Sequence, residues 1–459
     1  MTYVCQYSFM FVNTLALGHL GPKELGSALL AITTASVVAS APAVGYAGAL
    51  DTFCSTAFTA SADKHIVGFH LQRGLLAALI HYCAIFPFLW NAEPLMILLR
   101  QDPEVSRLCG RFLRVHIFGM LPWMVFECLK RFVQAQGDMK ASTKLLLYLT
   151  PFHALITYTL VLSPQFGLGF IGSPLATCIT NWLMLFGLVL HIAFGRAREA
   201  WGGFDYRCVY GISEFYRLAL PSVIMTCCDW WAFELLSVGA SYLGNLQLAA
   251  QSIILNTDYL FYQIPAGMGA AVSARVGNFL GAGMPRTARM SMRVSFVIGL
   301  AISGLTVVAM ILAMPWWAAI YTTDSDLIKL VTSVLPIVII LQIFVMLNAI
   351  CLGILRSMGH QRTGALLSIP LYTLIMLPLG FYLSYSTLGL GIAGFWIGMV
   401  VGTIAIVASL LFFIFKRVDW DDEVLACIAR LKPSARHHNQ QLALVVGDLQ
   451  SSTDLSTYA

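Results

Sequence analysis

Twelve long apolar stretches, separated by short polar segments, follow one another from the start of the chain to about residue 416. They are centred near residues 10, 40, 82, 120, 152, 183, 227, 260, 302, 340, 374 and 403. A helix of about 20 apolar residues crosses a hydrocarbon layer of ~30 Å and satisfies its own backbone hydrogen bonds there. The weak alternating pattern of a membrane barrel is absent. The pattern therefore predicts an all-α integral membrane protein with twelve transmembrane helices.

These stretches fall into two sets of six that repeat one another. Three motifs recur in the same order and 222 or 223 residues apart: HLGPKEL at 19–25 with YLGNLQL at 242–248, VQAQGDMKAS around Gly137 with LRSMGHQRTG around Gly359, and GLGFIG at 167–172 with GLGIAG at 389–394. Self-similarity at a fixed spacing indicates a duplicated unit. Because six is even, both halves start on the same side of the membrane, and their symmetry axis should follow the membrane normal. We expect two pseudo-symmetric six-helix lobes around a central cleft.

The repeat also predicts the domain boundaries. The N-terminal lobe covers residues 1–195, a cytosolic linker covers 196–212, and the C-terminal lobe covers 213–416. The polar residues 417–459 form a cytosolic tail that we expect to be partly disordered, beyond about residue 432. The first stretch begins at the very start of the chain without a basic leader, so we expect no cleavable signal peptide. Its shortness leaves a truncated N-terminus as an alternative.

The two glycine motifs, GLGFIG and GLGIAG, also fit G-x-G-x-x-G, the fingerprint that binds a dinucleotide pyrophosphate. Such a site needs a preceding strand within a soluble βαβ unit, and neither copy has one. Each copy instead lies between the last two apolar stretches of its half. We therefore expect two equivalent tight turns with close helix approach, because glycine permits both.

Charged residues are few, and their placement predicts the orientation. Only 11% of the chain is charged and 58% is hydrophobic, against roughly 25% charged in a soluble protein. Seventeen lysines and arginines lie in the even-numbered segments between stretches and in the C-terminal flank, whereas six lie in the odd-numbered segments. Positive loops remain in the cytosol, so both termini are predicted to be cytosolic. The net charge of +5 follows from this bias and indicates no nucleic-acid partner.

Other chemistry finds little support in the sequence. The eleven cysteines include no C-x-x-C pair and lie mostly within apolar stretches, which favours small hydrophobic residues over disulfides or metal ligands. No G-x-x-x-x-G-K-[ST] segment is present, so ATP-driven pumping is not indicated. We expect a monomer in the plasma or vacuolar membrane, without a metal or cofactor and without enzymatic activity.

Five acidic residues fall within the apolar stretches, where a charge costs about 2.5–3.5 kcal/mol at mid-bilayer. They are Asp51, Glu127, Asp229, Glu234 and Asp258. No lysine or arginine lies near the middle of a stretch to neutralise them. Lys130 and Arg131 follow Glu127 near a helix end, which favours a snorkelling salt bridge there. Asp51 lies beside Thr52 and is interpreted as a hydrogen-bonded structural carboxylate rather than a transport residue.

The seventh stretch, PSVIMTCCDWWAFELLSVG, carries the acids with the strongest functional signal. At 100° per residue, Asp229 and Glu234 are about 140° apart, so both should not point squarely into one cleft. Trp230 and Trp231 precede Glu234 by four and three residues, which places indole rings beside a carboxylate. This combination suits an organic cation, through charge attraction and cation–π contact. The alternative is that the tryptophans are lipid-facing or interfacial anchors.

The eighth stretch, QSIILNTDYLFYQIPAG, carries a third candidate acid, Asp258. Asn256, Tyr259 and Tyr262 lie close to it along the helix and either bind substrate or satisfy the carboxylate. A buried carboxyl group resists ionisation, so protons and cations are expected to compete for such a site. That competition would give antiport without ATP. Protons are the expected coupling ion, and sodium is the alternative.

At GHLGPKEL, CDWWAFELL and QIPAGMGAAVSARVGNFLGAG, the chain resembles the multidrug and toxic-compound extrusion (MATE) family of the MOP flippase superfamily. The resemblance covers residues 1–416 and is greatest to eukaryotic members, with plant or fungal features. It implies twelve helices in two lobes that export organic cations and xenobiotics in exchange for protons or, in some bacteria, sodium.

Site residues follow from that resemblance position by position. The paired acids of the family's seventh helix match Asp229 and Glu234, the first being commonly glutamate in relatives. Asn256 and Asn348 stand where some members have acids in the eighth and tenth helices. The acid of the bacterial first helix has no counterpart, and the polar residues available there are Gln6 and Asn13. We include Gln6 and Asn348 among the candidate substrate-binding residues.

Two other functions remain open at this point. A lipid-linked oligosaccharide flippase belongs to the same superfamily, but its cleft should carry basic residues for a diphosphate, whereas the acids dominate here. A membrane receptor without transport is the second alternative. The repeat of six plus six helices argues against it.

Overall fold

In a computed structural model, the protein is nearly all helix in residues 1–98, 100–387 and 389–430, which are the residues that the structure describes. Twelve long helices follow one another along the chain: α1 Thr2–Gly18, α2 Lys23–Ala60, α3 His65–Trp90, α4 Pro103–Ala135, α5 Lys140–Leu162, α6 Gly169–Phe194, α7 Ile212–Ser241, α8 Asn245–Gly281, α9 Pro285–Ile320, α10 Ser325–Met358, α11 Gln361–Tyr385 and α12 Ile392–Lys416. A short helix, Ala92–Leu98, lies between α3 and α4.

Ten of these helices are long and apolar enough to cross a membrane. The other two, α1 and α8, do not meet both requirements, for different reasons. Helix α1 has only 17 residues, and α8 has 37 but carries polar residues such as Gln251 and Asp258. Each predicted stretch coincides with one helix, so the predicted all-α membrane fold is confirmed. The polar composition of α8 is the first sign that it borders something other than lipid.

Several helices contain a local break in their hydrogen-bonding pattern. Segments with π-helical geometry occupy Ser36–Ser40 within α2, Tyr158–Leu162 at the end of α5, and Tyr372–Met376 within α11. Such bulges are frequent at functional sites, and both bulges and prolines kink helices. Pro370 lies two residues before the bulge of α11. This bulge carries Tyr372, which reaches the central cavity region described below.

The buried hydrophobic residues form two separate cores. One draws on residues between positions 5 and 219, and the other on residues between 232 and 427. The change from one core to the other therefore occurs within α7, whose first turns pack against the first half. Helices α1–α6 are called the first half below, and α7–α12 the second half. The domain boundaries at 195, 212 and 416 remain predictions, although each falls near a helix end.

The two glycine motifs form turns, as expected. Gly169 and Gly391 have φ angles of +58° and +52°, which side chains rarely adopt. The Leu168 N–H donates to the Leu160 carbonyl at 2.7 Å and closes the first turn. A Cβ at Gly172 would overlap that same carbonyl. The motifs therefore serve the backbone path between the last two helices of each half.

The halves touch each other at the end of the molecule that the charge pattern predicts to be cytosolic. The Thr59 hydroxyl of α2 donates to the Asn278 carbonyl of α8 at 2.7 Å. The Asn278 amide donates in turn to the Ala135 carbonyl of α4 at 3.1 Å. Gly277 lets α8 approach α2, because a Cβ there would lie 2.9 Å from the Ser55 Cβ. Helices α2, α4 and α8 thus close one end of the space between the halves.

Residues 420–430 form a further helix that packs against the second half. Trp420, Val424 and Cys427 are buried in the second core, and the Glu423 carboxylate lies 2.6 Å from the His360 ring. The sequence predicted only a polar tail here. The alternation of apolar residues with acidic ones every three to four positions explains the docked helix. The predicted disorder beyond residue 432 lies outside the described residues.

Candidate functional site

A cavity of about 430 Å³ lies between the two halves. Its walls come from α1, α2, α4 and α6 of the first half and from α7, α8 and α10 of the second. Of the predicted site residues, eight line it: Gln6, Asp229, Trp230, Glu234, Asp258, Tyr259, Tyr262 and Asn348. The other two, Trp231 and Asn256, are not among the lining residues. The predicted cleft and most of its candidate residues therefore coincide.

Helix α7 presents a broad face to the cavity rather than a narrow stripe. Its lining residues are Met225, Thr226, Asp229, Trp230, Phe233 and Glu234. At 100° per residue these positions span about 180° of the helix surface. Asp229 and Glu234 lie about 140° apart on this face, so both border the cavity although, as expected, they do not point into it in one direction. The cavity extends around α7 far enough to include both carboxylates.

Asp229 is held by a residue that the sequence did not single out. The hydroxyl of Tyr372, on the π-helical segment of α11, donates to the Asp229 carboxylate. Tyr372 is buried, whereas Asp229 is half-buried and keeps one side toward the cavity. The 143 positions that separate the two residues along the chain leave no local signal of this pairing. The hydrogen bond fixes the carboxylate orientation.

Glu234 lies half-buried farther along the same helix. The Tyr259 hydroxyl of α8 faces its carboxylate, and Trp230 lies one turn earlier on the cavity wall. Trp231 turns away: it is 44% exposed, and its indole N–H donates to the Val37 carbonyl at 3.2 Å. The structure thus brings one of the two predicted tryptophans beside the carboxylate. The other lies outside the cavity lining.

Asp258 is the most buried of the three candidate acids of the second half, with 1% exposure. The Gln342 amide of α10 donates to its Oδ1 at 2.7 Å. The Asn256 side chain donates instead to the Ser252 carbonyl at 2.9 Å. The Asn256 backbone carbonyl accepts a hydrogen bond from Tyr7 of α1 at 3.1 Å. Asp258 is therefore satisfied by one amide and borders the cavity beside Tyr259 and Tyr262.

Glu127 forms a buried cluster with residues of α1 and its own helix. The Lys130 ammonium lies 2.6 Å from the Glu127 carboxylate, and the Gln6 amide donates to the same oxygen at 2.9 Å. Lys130 also lies 4.4 Å above the Tyr3 ring. The predicted salt bridge is confirmed, but the lysine does not snorkel, because its side chain is fully buried. Gln6 consequently supports this ion pair at the cavity wall.

Asp51 is paired with two arginines, one from each half. Arg131 of α4 donates from Nη1 to both Asp51 oxygens at 3.2 and 3.3 Å. The Arg356 Nε of α10 lies 3.7 Å from Oδ2. The expectation that no basic side chain neutralises the intramembrane acids was therefore wrong for Asp51. Both arginines lie near helix ends, where the sequence pattern indicates only the orientation of the helices.

The first half contributes a second polar cluster that the sequence indicated only through Asn13. The Asn13 amide donates to Thr177 at 2.9 Å and its oxygen accepts from Thr157 at 3.2 Å. Buried His153 lies 2.7 Å from the Thr180 hydroxyl. Asn348 of α10, on the opposite wall, has a buried Oδ1 without a hydrogen-bond donor among the described residues. Polar groups thus line both walls, but the acids concentrate on the second half.

No group of three or more histidines, cysteines or acids suited to a metal ion occurs in the described part of the chain. The cavity chemistry is that of carboxylates, phenols and indoles facing one another across a space of small-molecule size. Such an arrangement can bind a cation and exchange it with a proton. The absence of a cofactor requirement remains a prediction.

Comparisons with known proteins bear on the family. The MatE family model matches residues 1–159 and 221–382, more than half of the chain. An uncharacterised transporter of Schizosaccharomyces pombe is 35% identical over 92% of this chain and 78% of that protein. Multidrug and toxin extrusion protein 1 of Xenopus tropicalis is 35% identical over 89% of this chain and 71% of that protein. The crystal structure of the eukaryotic MATE transporter AtDTX14 is similar with a TM-score of 0.88 at 27% identity, over 94% of this chain and 96% of that one.

The family model matches residues in both halves, and the structural similarity covers 94% of the chain. They confirm the family resemblance predicted from the sequence. They leave the alternative of a receptor without transport unsupported. The chain is a multi-pass membrane protein and a transporter rather than an enzyme, and it belongs to the MatE family.

Proposed function

We propose that this protein exports organic cations in exchange for protons by alternating access. The observation that carries the proposal is the set of three carboxylates, Asp229, Glu234 and Asp258, on one wall of the cavity between the halves. None of the three has an ion-pair partner within 4.0 Å among the described residues. Each is held instead by a neutral donor or a phenol. A cationic substrate supplies the charge that this wall lacks.

Aromatic side chains around the carboxylates favour organic over inorganic cations. Trp230, Phe233 and Tyr259 line the cavity next to Glu234. A cation over such a ring gains roughly 0.5–2 kcal/mol in addition to charge attraction. Apolar contacts with the same rings tolerate different substrate shapes, which suits a transporter of xenobiotics. The similarity to proteins named multidrug and toxin extrusion protein 1 supports this substrate class.

Proton exchange follows from the same carboxylates. In the ionised form a carboxylate attracts the cation, and in the protonated form it does not. Asp258, buried and hydrogen-bonded by Gln342, is placed to gain a proton without losing its other contacts. Each unit of pH difference across the membrane supplies about 1.4 kcal/mol to the exchange. Sodium is the alternative coupling ion, and the test below distinguishes the two.

Alternating access requires that the halves separate at one end while they meet at the other. Contacts between α2 and α8 close the end predicted to be cytosolic. This arrangement supports an outward-facing state, from which a proton would enter the cavity. The flippase alternative finds less support, because the Arg131 and Arg356 side chains are already engaged with Asp51.

Uptake of radiolabelled tetraethylammonium into reconstituted vesicles tests this function. Vesicles with an acidic lumen are expected to accumulate the cation, because protons leave as it enters. Collapse of the pH gradient should abolish accumulation. A sodium gradient with the higher concentration inside the vesicles should not restore accumulation. Accumulation that ignores the pH gradient would contradict proton exchange. Glu234→Gln should lose the pH-driven component, whereas Glu104→Gln, an exposed residue bound to Lys23, should retain it.

A further inference from the structure

One cluster of arginines departs from the charge bias that predicts the orientation. Four of the six basic residues in the odd-numbered segments lie close together in the sequence: Arg100, Arg107, Arg111 and Arg114. Basic residues otherwise concentrate in the segments predicted to be cytosolic. Three of the four lie in the first turns of α4, whose other end, at Ala135, contacts α8 at the closed end between the halves. The cluster therefore lies at the end of the molecule opposite to that contact.

Two arginines of this cluster lack an acidic partner. Arg107 and Arg111 are exposed and have no ion-pair partner within 4.0 Å among the described residues. The two acids nearest to them in the sequence are engaged elsewhere: Asp102 caps α4 through two backbone N–H groups, and Glu104 pairs with Lys23 of α2. The first turns of α4 therefore present two positive charges that no acidic side chain contacts in the described part of the chain.

These two arginines lie at the level of lipid headgroups. Helix α4 has 33 residues and is about 50 Å long, so it exceeds the ~30 Å hydrocarbon layer by about 20 Å. About 10 Å at each end of the helix then reaches the headgroup region. At 1.5 Å per residue, Arg107 and Arg111 lie about 6 and 12 Å from the start of the helix. Because long basic side chains extend toward the membrane surface, both guanidinium groups can reach a lipid phosphate.

An apolar groove runs deeper into the membrane along the same helix. It lies between α4 and α6 and has a volume of about 490 Å³. Its lining is almost entirely apolar and includes Val115, Phe118, Ile179, Trp182 and Phe186. None of these five residues lines the central cavity, so the groove opens on the outer surface of the first half. A Cβ at Gly119 would lie 2.8 Å from the Cys178 Cα, so α4 and α6 meet closely at the floor of the groove.

The arginines and the groove lie on one face of α4. At 100° per residue, Arg111 falls between Phe118 and Val115 around the helix axis, and Arg107 lies within about 20° of Phe118. Val115 is one turn, about 6 Å, deeper than Arg111. A positively charged surface is thus continuous with an apolar recess. Such a surface complements a molecule that carries an anion at one end and a hydrocarbon chain at the other.

We propose that Arg107, Arg111 and the groove between α4 and α6 bind an anionic phospholipid. The two guanidinium groups bind its phosphate, because their planar donors match phosphate oxygens. One acyl chain occupies the groove against Phe118 and Trp182, which distinguishes this lipid from those that cover the rest of the surface. Clustered arginines at a membrane surface attract acidic headgroups. A lipid without net charge lacks this attraction, and its choline group is repelled by the arginines. The site is independent of the proposed transport function.

Native mass spectrometry of the purified full chain in detergent tests the site. The chain is titrated in separate samples with dioleoylphosphatidylglycerol and with dioleoylphosphatidylcholine, which share their acyl chains and differ in headgroup charge. We expect the unmodified protein to bind one phosphatidylglycerol molecule more tightly than phosphatidylcholine. The double variant Arg107→Gln with Arg111→Gln should reduce this preference by about tenfold or more. The preference is a ratio within one variant, so a general loss of folded protein cancels.

Two controls locate the bound lipid. Arg286→Gln with Arg289→Gln removes two exposed arginines of α9, in a segment predicted to be cytosolic, and should leave the preference unchanged. Ile179→Trp fills the groove while both α4 arginines remain, so it should weaken phosphatidylglycerol binding. Leu190→Trp is its matched control, because Leu190 is exposed on α6 but does not line the groove.

Three results would overturn the lipid site: equal affinity of the unmodified protein for the two lipids, the same loss of preference in both arginine pairs, or unchanged phosphatidylglycerol binding in Ile179→Trp. A fourth result would assign the groove to a different occupant. It would be a dimer that carries no lipid and dissociates in Ile179→Trp, which would mean that a second copy of the chain covers the groove.

Discussion

Two adjacent tryptophans on α7 have different surroundings although the sequence treats them alike. Trp230 lines the cavity, whereas Trp231 is 44% exposed and donates its indole N–H to the Val37 carbonyl. One residue step turns a helix by 100°, which carries the second ring out of the cavity. The pair therefore offers a test of the aromatic contribution in which size, chemistry and position along the helix are matched.

Replacement of Trp230 by leucine should raise the KM for an aromatic organic cation about two- to thirtyfold, from the 0.5–2 kcal/mol of a cation–π contact. Replacement of Trp231 by leucine should leave KM within about twofold. Initial rates of uptake into proteoliposomes measure both variants. Equal effects at the two positions would mean that indole loss acts through the fold rather than through substrate contact.

At this scale the sequence identifies the acids but not their partners. Charge within an apolar stretch is enough to single out Asp229 and Asp258. Tyr372 and Gln342, which hydrogen-bond them, lie 143 and 84 positions away, so no local spacing reveals these contacts. Arg356 lies near a helix end, where a basic residue indicates only orientation. Only packing of α10 against α2 shows that it enters the cavity.

Among the helices, α8 and α10 pack unusually closely and together hold Asp258, Gln342 and Arg356. Their crossing point is formed by two glycines. A Cβ on Gly353 would overlap the Gly269 carbonyl, and a Cβ on Gly269 would lie 2.7 Å from the Ala349 carbonyl. Small residues at such a crossing allow the backbones to approach. The geometry of the acidic wall therefore depends on this contact.

Gly353→Val should force α8 and α10 apart and destabilise the protein by roughly 1–3 kcal/mol, the usual cost of overpacking. Gly304→Val on α9 is the control, because a Cβ there has no neighbour within 4 Å. Thermal unfolding followed by tryptophan fluorescence measures both, with a lower midpoint expected only for Gly353→Val. Identical midpoints would show that the α8–α10 crossing tolerates separation.

The existence of each helix was predictable because a membrane-spanning helix needs a long apolar stretch. The breaks within the helices were less predictable. The bulge at Tyr372–Met376 follows Pro370, a residue that indicates a kink but not its direction. The broad cavity face of α7 could not be predicted either, since it depends on how far the halves stand apart.

For the molecule as a whole, the closed end between the halves determines which side has access to the cavity. Helix α2 meets α8 there through Thr59 and Asn278 and through the close approach of Ser55 and Gly277. The repeat predicted two lobes and a cleft. It did not predict which end is closed, because both ends have equivalent sequence repeats.

A disulfide between Ser55→Cys and Gly277→Cys should arrest transport, since the halves must separate at this end. A Cβ at position 277 lies 2.9 Å from the Ser55 Cβ, within a small relaxation of the separation in a disulfide, about 3.8 Å. The control pair, Gly277→Cys with Ser357→Cys, has a Cβ separation of 3.7 Å but joins two helices of one half. Transport under oxidant and after reduction measures both pairs. Full activity with the first pair cross-linked would contradict the claim that α2 and α8 must separate at this end during transport.

The central claim is that cations and protons exchange through one cavity, and reciprocal coupling tests it most directly. If a proton gradient drives cation movement, a cation gradient must also drive proton movement. Proteoliposomes loaded with tetraethylammonium and a pH-sensitive dye are diluted into cation-free buffer at equal pH, so that only the cation gradient drives the reaction. The account predicts acidification of the lumen as the cation leaves, and its loss in Glu234→Gln. Efflux of the cation without any change in lumenal pH would contradict proton exchange.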